Sequence, residues 1–334
     1  MRRPPRRAFL TATGGIVLAG CFDADGGSPT DDSRPGSGGA IDDTDVPEPE
    51  NDEYGSGDAD DRSLPPAGTA PDGYPDYGVD RLVAFDEIDP DETAIFLEPS
   101  AETVEEGDRV TFELHNRSAH RFSHNPYRWI VHKLVDGGWF YVGPREFPEP
   151  ESRLDPDESR SWELRIENDA VDNGRSIGKP GTIERDPLVG LGGGEYAFGT
   201  RGGFVGDTYD GSIGFSARFE LEADDLELTA TDELTDVEWE GDTLVANPDR
   251  ARDEGAPIAF ELVRTDDDVV GEPVITETLL RDDRLRDAVA LSREYDAGRV
   301  RLEESDASSY VWYEDGHYEY EGETYAVSTR DLEE

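Results

Sequence analysis

Ile213, Phe215, Ala217, Phe219 and Leu221 are apolar in strict alternation, with Gly214, Ser216, Arg218 and Glu220 between them. That period of two belongs to a strand with one buried face, and a helix would spread the same residues around its whole circumference. The pattern recurs at Val110, Phe112 and Leu114 and at Trp162, Leu164 and Ile166. Ala94–Leu97, Tyr127–Val135 with Trp129, Trp139–Val142, and Tyr196 with Phe198 supply further short apolar runs. Turn residues separate them: Gly107-Asp108, Asp136-Gly137-Gly138 and Asp155-Pro156-Asp157-Glu158. Roughly seven short strands punctuated in this way predict a β-sandwich over residues 78–222.

Residues 223–334 read differently, as a small α+β domain. Glu238–Val245 and Ile258–Val263 have strand composition, and Glu272-Pro273 would open a helical stretch, proline being suited to a first turn. Leu285, Ala288, Val289, Leu291 and Tyr295 recur at helical spacing, with Gly298 as the expected stop. Asp315-Gly316 between two aromatic runs is a strong hairpin signal. It would place Tyr313 opposite Tyr318 and Val311 opposite Tyr320, all on one face against the helix. Tyr310 and Trp312 would then lie on the other face. Glu321-Gly322-Glu323 turns the chain again into Tyr325-Ala326-Val327.

Charge limits the conditions under which such a chain folds. The 334 residues hold 80 Asp and Glu against 31 Lys and Arg, a formal net charge of −49. Lys133 and Lys179 are the two lysines, and arginine supplies the other cations. This composition resembles proteins of halophilic archaea, whose carboxylates are screened by molar salt. The same surface repels phosphates, so no nucleic-acid partner is expected. Anionic lipid headgroups are repelled too.

The N-terminus reads as an address. Arg2, Arg3, Arg6 and Arg7 precede an uncharged run, Ala8–Gly20, that is too short to span a bilayer. Arg6-Arg7 before Phe9-Leu10 resembles the twin-arginine export motif, with Pro5 where Ser or Thr is usual. Leu18-Ala19-Gly20-Cys21 resembles a lipobox, which implies a diacylglycerol on Cys21, cleavage before it, and a location on the outer face of the cell membrane. Two acyl chains suffice for stable anchoring. Cys21 is the single cysteine, so the expected mature domains contain no disulfide and no thiolate metal site. Residues 22–77 are rich in Gly, Ser, Pro, Asp and Glu and poor in large aliphatics. They are expected to be a disordered acidic tether, because they offer too little apolar surface to offset backbone entropy.

Trp129 on the third strand and Gly194-Glu195-Tyr196-Ala197-Phe198 resemble an immunoglobulin-like (Ig-like) domain. The resemblance makes Tyr196 a tyrosine corner and puts Phe198 where antibody domains have a cysteine. Gly107 through "VTFELHNRS", "VHKLVDGGWFYV" and "LDPDESRSWELRI" is similar to bacterial Ig-like domains of cell-surface lipoproteins. That family implies an accessory surface module with no catalytic residue and no cofactor.

The chain holds no Gly-x-Ser-x-Gly elbow, no His-Glu-x-x-His and no phosphate loop. Gly190, Gly192, Gly193 and Gly194 read as a flexible turn. His115, His120, His124 and His132 could in principle ligate a metal, but strand and loop positions scatter them, and no metal site is assigned. Asp266-Asp267-Asp268 and Asp282-Asp283 lack EF-hand spacing. Asn116-Arg117-Ser118 is an Asn-x-Ser sequon, open to a glycan or to an ordinary turn. Tyr310 and Trp312 could stack on a sugar or an envelope protein, or could be a covered second core face. The leading expectation is a non-catalytic binding or assembly module at the envelope. The alternative is an envelope hydrolase or solute-binding protein that uses acidic residues.

Overall fold

The computed structural model describes residues 63–66, 68, 70–144, 148–168, 171, 174, 188–206, 211–248, 256–265, 269–306 and 316–332, and these are mainly β. The leader, Cys21, the expected tether up to residue 62, Tyr310 and Trp312 lie outside the described residues. In chain order the strands up to residue 222 are β1 (Arg81–Ala84), β2 (Ile95–Pro99), β3 (Thr103–Glu105), β4 (Arg109–Asn116), β5 (Phe122–Val135), β6 (Gly138–Gly143), β7 (Ser152–Leu154), β8 (Ser159–Glu167), β9 (Leu188–Val189), β10 (Gly194–Phe204) and β11 (Ile213–Glu222).

One sheet runs β1-β11-β10-β5-β6, with β3 on β11 and β7 on β5; the other runs β2-β4-β8-β9. The alternating residues of β4, β8 and β11 all enter one apolar core between these sheets. At its centre the rings of Phe112 and Phe198 stack at 4.2 Å, one from each sheet, and Trp129 and Trp162 pack on Phe198. Asp136 and Gly137, both at positive φ, make the tight turn between β5 and β6.

The folded part begins earlier than residue 78. Ser63 bridges to Thr93, Leu64 packs on the core, and Tyr77 is buried with its hydroxyl 3.0 Å from Ser216 Oγ. A Cβ on Gly199 would sit 2.4 Å from the Tyr77 ring, so glycine there makes room for it. This docked strap also explains why Gly214 and Ser216, expected to face solvent, are buried.

The remaining strands are β12 (Leu234–Glu240), β13 (Thr243–Pro248), β14 (Ala256–Thr265), β15 (Glu272–Pro273), β16 (Arg299–Asp306), β17 (Gly316–Tyr320) and β18 (Glu323–Asp331). They form one mixed sheet in the order β12-β13-β16-β14-β18-β17-β15. Helices α1 (Thr276–Leu279) and α2 (Asp283–Glu294) follow β15, and Leu285, Ala288, Val289 and Leu291 of α2 enter a second core with Phe260, Leu262, Val300 and Leu302.

Three local expectations are corrected here. Glu272-Pro273 is a short strand parallel to β17, and the longer helix is started instead by the Asp282 side chain, which accepts from Leu285 N. Asp296, at φ 49, is the left-handed residue that stops that helix just past its cap Tyr295, with Ala297 N donating to Ser292 O; Gly298 comes two residues too late to be the stop. Tyr318 lies between Tyr325 of β18 and Glu272 of β15, which leaves no edge for the expected Tyr313–Tyr318 pairing.

The two cores belong to one compact unit. Ile275, just before α1, is buried in the first core although in sequence it lies between β15 and β16 of the mixed sheet. Beside it, Glu277 is 3% exposed and pairs with Lys133 Nζ at 2.5 Å. Glu277 Oε1 also accepts from Gly192 N and from the Tyr196 hydroxyl. Arg281, one turn on, donates to the carbonyls of Val189 and Gly190.

Candidate functional site

The most distinctive irregularity of the first sheet lies in β5. Gly202 of β10 pairs with His124, and Thr200 pairs with Trp129. Asn125, Pro126, Tyr127 and Arg128 therefore face Arg201 alone. Proline has no N–H to give to a ladder, so this segment cannot pair regularly. The bulge is braced from within. Asn125 Oδ1 accepts from Tyr127 N, Asn125 Nδ2 donates to Pro148 O, Trp162 Nε1 donates to Pro126 O at 2.7 Å, and Thr200 Oγ1 donates to Arg128 O. Gly202 closes the bulge, since a Cβ there would lie 2.2 Å from Ser123 O.

The bulge opens a cavity of about 530 Å³ lined by Ser123, His124, Arg128, Glu149, Glu151 and Arg201, among others. Arg201 is held in place by donating to Tyr77 O. Ser123 Oγ donates to Glu151. His124 is 4% exposed, stacks on Phe122 and meets Trp162 edge-on, and neither ring nitrogen has a hydrogen-bond partner. Sequence reading singled out His124 only as one of several histidines. It missed Arg128 and Arg201, although Asn125-Pro126 inside an aromatic-rich strand was a usable sign of a bulge.

His124 and His132 share a consequence for pH. Burial lowers both rings to a pKa of about 4, helped at His124 by the charge of Arg160; His132 lies between Tyr77 and Tyr141. Both rings are neutral when folded, and the unfolded chain takes up protons first as pH falls. The stability they contribute is complete above pH ~6.5 and is lost toward pH ~4. In strong salt, the wild type should lose more melting temperature between pH ~7.5 and ~5 than a His124→Phe/His132→Phe double variant. Equal losses would remove these rings from the account.

The other expected positions fall apart in space. His115 lies on β4 with Nε2 3.2 Å from Glu98 Oε2, and His120 meets Phe204. Among the described residues no group of three or more His, Cys, Asp or Glu could hold a metal ion. Asp282 is the cap of α2, and Asp266-Asp267-Asp268 lies outside the described residues. Asn116 is fully buried, and its Nδ2 donates to the carbonyls of His120, Leu154 and Asp155. A glycan on that nitrogen would take one of its two hydrogens and would need space that a fully buried side chain lacks, so in the folded chain Asn116 serves as a structural donor.

No family model and no curated protein matches the chain. Solved structures resemble it only in part. An alkylpurine DNA glycosylase from Pseudomonas fluorescens is 12% identical, with 39% of this chain and 31% of that one covered and a TM-score of 0.21. The sporulation control protein Spo0M from Bacillus subtilis is 13% identical, with 39% and 50% covered and a TM-score of 0.20. A β-glucosidase from Erythrobacter marinus is 13% identical, with 38% and 15% covered and a TM-score of 0.20. The chain thus spans half or less of each of these proteins, and likeness at this level says nothing of activity.

Proposed function

We propose that the chain is a lipid-anchored binding or assembly module on the outer face of a cell membrane, non-catalytic and built on an Ig-like sandwich. The strand orders β2-β4-β8 and β11-β10-β5-β6 support the sandwich, since they follow the A-B-E and G-F-C-C′ layers of that fold. The Tyr196 hydroxyl donates to Gly192 O at 2.6 Å, the bond a tyrosine corner makes four residues upstream. Phe112 and Phe198 stack where antibody domains carry an inter-sheet disulfide, and Trp129 stacks on Phe198.

The observation that carries a binding role is the cavity at the β5 bulge. It gathers arginine, glutamate, serine and histidine side chains around a space within the ~300–1,000 Å³ range of small-molecule sites. Its histidine has no hydrogen-bond partner to orient it, whereas a general base is held by a third group. That favours holding a ligand over transforming one.

Lipidation of Cys21 carries the location. Replacing Cys21 by Ser should move the protein from the membrane fraction to the medium, and mass spectrometry of the wild-type N-terminus should find a diacylglycerol thioether on residue 21. Arg6→Lys/Arg7→Lys should hold the precursor in the cytosol. A chain with its leader intact, free in the cytosol of wild-type cells, would refute the location.

A further inference from the structure

We propose that the strap over residues 70–78 is an acid-released cover on the outer face of β11-β10-β5, and that His132 of β5 is the group whose protonation lifts it. The release is a property of the fold and stands apart from the binding-module reading. Only its effect on the cavity at the β5 bulge, through Arg201, rests on that reading.

The argument starts from how the strap is held. Its carbonyls take side-chain donors from the sheet: Trp139 Nε1 and Arg218 Nη2 both donate to Gly73 O, and Arg201 Nη1 donates to Tyr77 O. The Arg218 guanidinium lies 3.8 Å from the centre of the Tyr74 ring. Residues 70–78 form no strand, so the segment can lift without breaking a ladder. Gly73 and Gly78, both at positive φ, give it the backbone freedom to turn. Local opening of such a segment lies well below global unfolding in free energy.

His132 is what the strap covers. Its ring meets Tyr77 edge-on at 5.3 Å and Tyr141 at 5.6 Å, it is 7% exposed, and its Nδ1 has no hydrogen-bond partner. The elements packed on it bring uncharged groups: the Tyr77 phenol from the strap, held neutral by burial, Tyr141 from β6, and Ala197 from β10. The charged groups on the same side are engaged elsewhere. Arg218 holds Glu195 and Gly73 O, Arg201 holds Tyr77 O, and Asp76 of the strap accepts from Gly78 N. Lys133, the next residue of β5, pairs with Glu277.

The sign follows from burial, which alone lowers the docked ring to a pKa of about 4. With the strap lifted, the ring is solvated and titrates near its ordinary ~6.5. The lifted state therefore takes the proton first. Docking is complete above pH ~6.5 and weakens toward pH ~4, and at pH ~5 the equilibrium is about 30-fold less favourable than at pH ~7.5. Lifting also takes Tyr77 O away from Arg201, so one wall of the cavity at the bulge loses its brace.

The test uses Ser216, fully buried with its Oγ 3.0 Å from the Tyr77 hydroxyl, as the reporter. Ser216→Cys is placed in the full chain carrying Cys21→Ser and labelled with a pyridyl disulfide in strong salt, each rate being divided by that of a free thiol. Labelling should be about 30-fold faster at pH ~5 than at ~7.5. His132→Phe keeps a ring under Tyr77 and should bring that ratio close to one. Val131→Cys, in the core on the other face of β5, should stay unlabelled at both pH values. In the chain without a new thiol, the Trp139 indole N–H should lose protection from hydrogen exchange over the same range, and keep it in His132→Phe. Labelling equal at both pH values, the same ratio with His132→Phe, or Val131→Cys labelled as fast as Ser216→Cys would each overturn the proposal. None of these readouts depends on a ligand, so their failure leaves the binding-module reading where it stood.

Discussion

Dialysis from several molar potassium chloride into dilute buffer should unfold this protein. With 80 acids and 31 Lys and Arg, 49 carboxylates have no cation to pair with even if every cation were engaged. The described ion pairs are largely arginine–carboxylate contacts at the surface, such as Arg109–Glu163 and Arg121–Asp155, and pairs of that kind contribute about 0–1 kcal/mol each. They cannot offset repulsion across the whole unit. At ~1 M salt the Debye length is about 3 Å, shorter than most charge separations, and at ~0.01 M it is about 30 Å, so every carboxylate feels the others. Native stability is only about 5–15 kcal/mol, small beside that change. Far-ultraviolet circular dichroism and tryptophan emission should report a cooperative loss of the β signal as salt is lowered. Choline chloride should protect as well as potassium chloride at equal ionic strength if screening is the cause. A spectrum unchanged in fresh water would refute the account.

The strands were legible where burial is one-sided. In β4, β8 and the second half of β11 one face meets the core, so Phe112, Trp162 and Phe219 announce themselves by spacing. The turn at Asp136-Gly137 was legible from its residues, since Asp and Gly tolerate the positive φ that such a turn needs. The first half of β5 was not, because Pro126 breaks the period there, and a bulge braced by Trp162 and Pro148 depends on partners more than 20 residues away. Nor was the strand at Glu272-Pro273, whose two residues are fixed only by pairing with β17. The acids were least legible. Composition makes a carboxylate ordinary at the surface, and nothing near Glu277 in sequence marks it as buried. Its partner Lys133 is 144 positions away.

That pair should be the most sensitive point in the described fold. Glu277 joins the two cores by accepting from Lys133, Gly192 and Tyr196 at once, and the Tyr196 hydroxyl is pushed well above its usual pKa by burial and by the Glu277 charge. Removing one partner of a buried pair leaves the other charge without compensation, which costs about 3–5 kcal/mol. Glu277→Leu should therefore lower the melting temperature by roughly 10 °C. Strong salt will not rescue it, since buried pairs are little screened. Lys133→Met should cost a similar amount. The Lys133→Met/Glu277→Leu double variant should recover most of the loss, because apolar side chains of similar volume replace the pair without leaving a lone charge. Calorimetry should also show the single transition of the wild type broadening or dividing in Glu277→Leu, as the sandwich core and the helix-covered core lose a buried polar link. If the single variants melt with the wild type, or the double variant loses the sum of both, Lys133 and Glu277 are not coupled as the 2.5 Å contact implies.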